Sequence, residues 1–245
     1  MQLDALAFGA HPDDVELACA GTLMRLSSNG YKTGAIALTD GELGTRGTRE
    51  IRCQEFSNAA QVMGLVRHGS LALPDGHIEL SWKNKLKLIG EIRRSRPHII
   101  FAPYWLDRHP DHEMTSELVR TSCFLSGLKK VDTDQEPHRP CKILYYPCRF
   151  EFQPSFIVDV TEFHELKIQA IQNYESQFHN PHKEQYGPEE TNISRPGFLE
   201  AIIARDKKYG CDVGVGYGEA FLVRGPVKLD DPIAFFGTDS LDGFL

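Results

Sequence analysis

Apolar and polar positions follow two rhythms along the first half of the chain, and the rhythms take turns. Leu3 to Gly9 is a short apolar run suited to a first strand. Val15 to Asn29 follows with helical spacing and is closed by Gly30, a residue that tolerates the left-handed turn after a helix end. Thr33 to Thr39 reads as a second strand, and Thr48, with Arg49 and Glu50 behind it, opens a helix running to Gly64. Val66 to Leu73 is a third strand. Ser81 is placed to cap a helix through Ser95, which Pro97 prevents from continuing. His98 to Pro103 (HIIFAP) is a fourth, strongly apolar strand, and a helix from about Asp111 to Ser126 follows.

This alternation predicts a parallel sheet with helices on both faces. Further on the pattern loosens. Ile143 to Tyr146 and Ser155 to Val160 read as strands, Thr161 as the cap of a helix reaching roughly Gln177, and Pro196 to Tyr209 as a helix closed by Gly210. Residues 178–196, rich in His, Asn, Pro, Glu and Gly, read as a long loop of the kind that is more often functional than idle. The expected architecture is α/β: a Rossmann-like, doubly wound, mainly parallel sheet extended by a C-terminal α/β part, in one domain over 1–245. With strand order 3-2-1-4-5, strands 1 and 4 adjoin where the winding reverses, and ligands of such folds bind at the carboxyl ends of those two strands.

Composition narrows the partners. A net charge of −7 leaves no basic footprint for nucleic acid. No apolar run approaches the roughly 20 residues that span a bilayer, so no membrane partner is expected. Met1-Gln2-Leu3-Asp4-Ala5 lacks the positive start of a signal peptide. The six cysteines (19, 53, 123, 141, 148, 211) form no C-x-x-C pair and read as free thiols in a reducing, cytoplasmic setting.

Chemistry concentrates in two short phrases. Ala10-His11-Pro12-Asp13-Asp14 follows the first strand, and Arg108-His109-Pro110-Asp111-His112 follows the fourth. The topology therefore sets them face to face across the crevice. A catalytic zinc commonly takes three ligands of His and Asp/Glu type and keeps a position for water. His11 and Asp14, three apart on a strand-to-helix turn, can point at one ion, and either His109 or His112 can complete the set. Asp13 suits the general base that takes the water's proton, and the remaining histidine an electrophilic or acid role. Asp111 is left to orient its neighbours. A dinucleotide or phosphate fingerprint is absent: no G-x-G-x-x-G follows the first strand.

The two phrases resemble those of the LmbE/PIG-L family of zinc-dependent N-deacetylases. Asp40-Gly41-Glu42-Leu43-Gly44-Thr45-Arg46-Gly47-Thr48 with Arg49-Glu50-Ile51-Arg52, Tyr174-Glu175-Ser176-Gln177, and Gly216-Tyr217-Gly218-Glu219-Ala220-Phe221 fit the family too. Within it, the 40–48 loop and the length most resemble the bacillithiol-pathway deacetylases that act on N-acetylglucosaminyl malate. The resemblance implies one Zn2+ per chain on His11, Asp14 and His112, with Asp13 as base. His109 would stabilise the oxyanion or help protonate the leaving amine. It also implies a homo-oligomer, a trimer or hexamer, and a small N-acetyl sugar as substrate.

A carboxylate-bearing substrate favours guanidinium partners, and Arg46, Arg52 and Arg108 lie in or beside the crevice segments. The glycines of the 40–48 loop suit either a substrate lid or a long turn. Tyr174 and Gln177 are expected to pack or cap their helix. Alternatives are a deacetylase or amidase for another N-acetyl sugar such as chitobiose or for a thiol conjugate, and a noncatalytic sugar- or metal-binding module. A two-metal phosphoesterase would need more carboxylates than these segments supply, and His/Asp ligation also admits iron, manganese or cobalt.

Overall fold

The computed structural model describes residues 2–179 and 191–237. Strands Ala5–Gly9 (β1), Thr33–Thr39 (β2), Arg67–Leu73 (β3), Ile99–Pro103 (β4) and Lys142–Tyr146 (β5) run parallel. Phe156–Asp159 (β6) and Gly218–Val223 (β7) complete one seven-stranded sheet of order β3-β2-β1-β4-β5-β7-β6. The winding reverses between β2-β1 and β4 as expected, with Ala5 facing Thr33 on one side and Ile99 on the other.

Period-two alternation sorts the sheet's side chains into two cores. Ala5 and Ala7 of β1, Ala35 and Ala37 of β2, and Phe101 of β4 pack with helices Asp14–Ser28 (α1) and Arg49–Val62 (α2). Leu6, Phe8, Ile36, Leu38 and Ile100 pack on the other face against Trp82–Ser95 (α3) and Pro110–Ser126 (α4). Helix His164–Gln172 (α5) and helix Phe198–Asp212 (α6) share the α1 face through Ala170, Ile171 and Ile202. Both faces of β1 and β2 are buried, which is why these strands read as continuous apolar runs. Thr48 and Ser81 cap α2 and α3 through their side chains, as their positions promised.

The second half departs from the local pattern. The helix expected over 161–177 is a 3-10 turn, Thr161–Phe163, followed by α5, which ends at Gln172. Thr161 does not cap it; the Asp159 carboxylate accepts from the Thr161 amide and hydroxyl instead. The chain leaves the helix because outside groups satisfy it. The Ser176 amide donates to Glu55 at 2.7 Å and the Tyr174 hydroxyl to Glu16 at 2.9 Å. Helix α6 runs through Gly210 to Asp212; that glycine is required because a Cβ there would sit 2.7 Å from the Tyr217 amide nitrogen. β7 was legible only as a motif, and it inserts antiparallel between β5 and β6. A short helix, Pro232–Phe236 (α7), closes the described chain. Of the loop expected over 178–196, residues 180–190, His182 among them, lie outside the described residues.

Helix α1 is broken at Cys19 (φ −144°, ψ 18°). Arg205 takes the Leu17 carbonyl on one side of the break, and Glu219 accepts from the Gly21 and Thr22 amides on the other. Lys167 joins the two by pairing with Asp206 at 2.6 Å and Glu219 at 2.8 Å, all three side chains buried. The first turn of α1, which carries Asp13 and Asp14, is thus held from behind by β7, α5 and α6.

Candidate functional site

From the end of β1 the chain turns through Ala10-His11-Pro12-Asp13 into α1. The His11 amide donates to Asp14 Oδ2 at 2.9 Å, which folds the Asp14 carboxylate back over the turn. Asp13 takes a left-handed conformation (φ 112°) that is strained for a residue with a Cβ. From the end of β4 the chain reaches His109, whose Nδ1 accepts from the Asp111 amide as the cap of α4, with Pro110 at the first helical position.

The two turns meet. His112 Nε2 lies 3.2 Å from Asp14 Oδ1, and His11 Nδ1 lies 3.6 Å from Asp14 Oδ2. Ligand atoms of His11, Asp14 and His112 fall within 4.8 Å of one another, and so do those of His11, His109 and Asp111. The first trio fits a divalent ion by its chemistry: one carboxylate lies between two imidazoles whose other nitrogens are already engaged. Asp107 Oδ1 holds His112 Nδ1 at 3.0 Å, while Asp75 Oδ1 and Asp111 Oδ2 flank His11 Nε2 at 3.0 and 3.4 Å. Carboxylates behind ligating histidines fix the ring and raise its basicity.

The charges agree with that arrangement. Burial disfavours the charged forms of His11 and His112, but the surrounding carboxylates outweigh it and hold both imidazoles well above their ordinary range. Asp14, opposed by burial, is held well below the usual carboxylate range by His112 and His11. Asp13 behaves oppositely. Burial pushes it up to about 7 against the pull of Arg52. Burial and the charges of His11 and His112 lower His109.

Arg52 is buried; it donates to the Gly41 carbonyl at 3.1 Å, the Pro12 carbonyl at 2.7 Å and Asp13 Oδ2 at 3.2 Å. Gly41 (φ +68°) is packed onto it: a Cβ there would fall 1.9 Å from the guanidinium. The geometry makes Arg52 a brace for Asp13. Arg46 is not among the residues lining the cavity, and its carbonyl accepts from the Gln177 side chain. Arg108 lines the cavity and is exposed at its rim.

The cavity over the site has a volume of about 560 Å3, the size of small-molecule sites. His11, Asp13, Asp14, His109 and His112 form its floor, and Phe198, Ile202 and Arg205 of α6 contribute to its wall. Asp75, Asp107, Arg149 and Gln177 also line it, and local sequence did not single out the first three. Asp75 could have been found as the Pro74-Asp75-Gly76 turn at the carboxyl end of β3. Asp107 immediately precedes the second phrase. Gln177 was expected only to pack or cap a helix, yet it borders the cavity because the chain has left that helix.

Known proteins resemble this chain in sequence and in fold. A family model described as PIG-L, GlcNAc-PI de-N-acetylase, matches residues 6–123. A solved structure, the conserved protein TT1542 from Thermus thermophilus, superposes with a TM-score of 0.84 at 38% identity, covering 94% of this chain and 98% of that one. Diacetylchitobiose deacetylase from Thermococcus kodakarensis is 27% identical over 188 residues, 71% of this chain and 69% of the relative. The probable N-acetyl-alpha-D-glucosaminyl L-malate deacetylase 2 of Bacillus anthracis is 26% identical over 188 residues, 69% and 78% of the two chains.

Proposed function

The chain belongs to the PIG-L family, and from that premise we propose that it is a metal-dependent hydrolase removing acetyl from an N-acetylglucosaminide. The observation that carries the reading is the convergence of His11, Asp14 and His112 on one point of the cavity floor, with buried Asp13 beside them. A divalent ion on those three residues, zinc in this reading, supplies Lewis acidity and a water acidic near neutral pH.

The chain's own residues do the rest. Asp13, held by Arg52, accepts the proton of the attacking water as the water oxygen bonds to the acetyl carbon. His109 spends Nδ1 as an acceptor for the Asp111 amide, so the neutral ring carries its proton on Nε2 and can donate to the oxyanion. Asp13, now protonated, returns that proton to the nitrogen as the C–N bond breaks; acetic acid and the amine leave, and the acid's proton passes to the amine to give acetate and the ammonium form.

N-acetylglucosaminyl malate is the favoured substrate. Arg108 and Arg149 line the cavity as exposed guanidiniums with no ion pair among the described residues, a pair suited to malyl carboxylates. The likeness to the Thermococcus enzyme supports chitobiose as the second reading. Acetate release from N-acetylglucosamine, its malyl glycoside and diacetylchitobiose, with and without chelator, decides between them. Preference for the malyl glycoside supports the first reading, an equal rate on all three removes it, and no turnover on any sinks the deacetylase.

No described helix is long and apolar enough to cross a membrane. We place the enzyme in the cytoplasm as a trimer-based oligomer, which fractionation and light scattering test.

A further inference from the structure

Gln177 is buried, at 5% exposure, and yet lines the cavity. Its amide has one possible orientation. Nε2 lies 2.7 Å from the Arg46 carbonyl oxygen, and a carbonyl can only accept, so the NH2 group must face it. The second N–H reaches Ser176 Oγ at 2.8 Å, and that hydroxyl gives its own proton to Glu55 Oε2 at 2.7 Å. Both Gln177 donors are therefore spent on the protein. Its Oε1 has no donor among the described residues.

Gln177 lines the cavity, and its surroundings hold the amide in this orientation. Gly47 (φ +77°) allows the loop to approach so closely that a Cβ there would lie 2.7 Å from Ser176 Oγ and 3.4 Å from Gln177 Nε2. Loop, turn and α2 together fix the amide.

We propose that Gln177 Oε1 accepts a hydrogen bond from a ring hydroxyl of the sugar and so helps determine specificity. The inference rests on the N-acetylglucosaminide reading above. It assigns a binding role to a residue that otherwise only ties the 41–47 loop to the end of α5.

The test measures KM and kcat for N-acetylglucosamine and its 3-, 4- and 6-deoxy analogues with wild type, Gln177→Met and Ser176→Ala. One analogue should show a KM about tenfold higher with wild type, equivalent to 1.4 kcal/mol. Gln177→Met should raise KM about tenfold on the parent sugar, leave kcat within about twofold, and add nothing on that analogue. Ser176→Ala, which loosens the turn but keeps Oε1, should lower the melting temperature and preserve discrimination among the analogues. Equal KM for all deoxy analogues with wild type overturns the proposal even if Gln177→Met fails to fold. So does a Gln177→Met penalty of the same factor on every sugar. If wild type turns over none of the sugars, the functional reading falls and takes this inference with it.

Discussion

Asp107 Oδ1 holds His112 Nδ1 at 3.0 Å, which leaves Nε2 as the nitrogen turned to Asp14. One carboxylate thereby chooses the tautomer of a candidate metal ligand. Asp107→Asn can present an amide N–H to the same nitrogen and invert the tautomer. Metal affinity should fall 10–100-fold, measured by competition with a chromogenic chelator. Unchanged affinity would remove His112 from the ligand set.

Asp13→Asn should leave metal content intact and lower kcat about 10²–10⁴-fold, the range for loss of a general base. Atomic absorption and steady-state kinetics on one preparation separate the two effects. A variant that loses metal together with activity would make Asp13 a ligand.

The Arg52 charge opposes the burial that pushes Asp13 up to about 7. A general base acts only when ionised, so in the proposed mechanism activity should fall as pH drops through the Asp13 pKa. Removing the cation raises that pKa, and Arg52→Gln should move the acid limb of the pH–rate profile to higher pH. A rise in KM with an unmoved limb would instead make Arg52 a substrate contact.

His11 and His112 are held above their ordinary range by the carboxylates around them, so an incoming ion must displace protons. Metal affinity should weaken with falling pH, starting above the range of a free imidazole. Calorimetry in buffers of different ionisation enthalpy should record proton release. Buffer-independent heats would contradict the assignment.

Behind the site, burial would raise Asp206, but Lys167, His164 and Arg205 outweigh it and hold it at about 2. Its depressed pKa contributes stability in full above the ordinary Asp value near 4, and the contribution disappears as pH falls toward 2. Lys167→Met leaves Asp206 and Glu219 buried without their shared cation, which should destabilise by about 3–5 kcal/mol. Urea unfolding at pH 7 and pH 3 should show a smaller acid-induced loss in the variant than in wild type.

Strands β1 to β4, their helices and the two His-Pro-Asp phrases were legible because each is written within about fifteen neighbouring residues. Period two or 3.6, a capping Thr or Ser, and a proline stop are local signals. What failed was everything satisfied from afar. The helix expected to reach Gln177 ends early because Glu55, 121 positions away, takes the Ser176 amide. The residue behind His11 is Asp75, 64 positions on, and the cap inside broken α1 is Glu219, 198 positions from Gly21.

The sequence by itself determined the parallel core, the reversal between β1 and β4, and the placing of two turns rich in histidine and aspartate at that reversal. Helix and strand periods are properties of short segments, and the handed winding of parallel strands follows from them. Only the tertiary structure decided which nitrogen of each histidine is free, that Arg52 braces Asp13, and that Gln177 borders the cavity. Those outcomes depend on hydrogen-bond geometry between distant segments, where a shift of about an ångström separates a partner from a bystander.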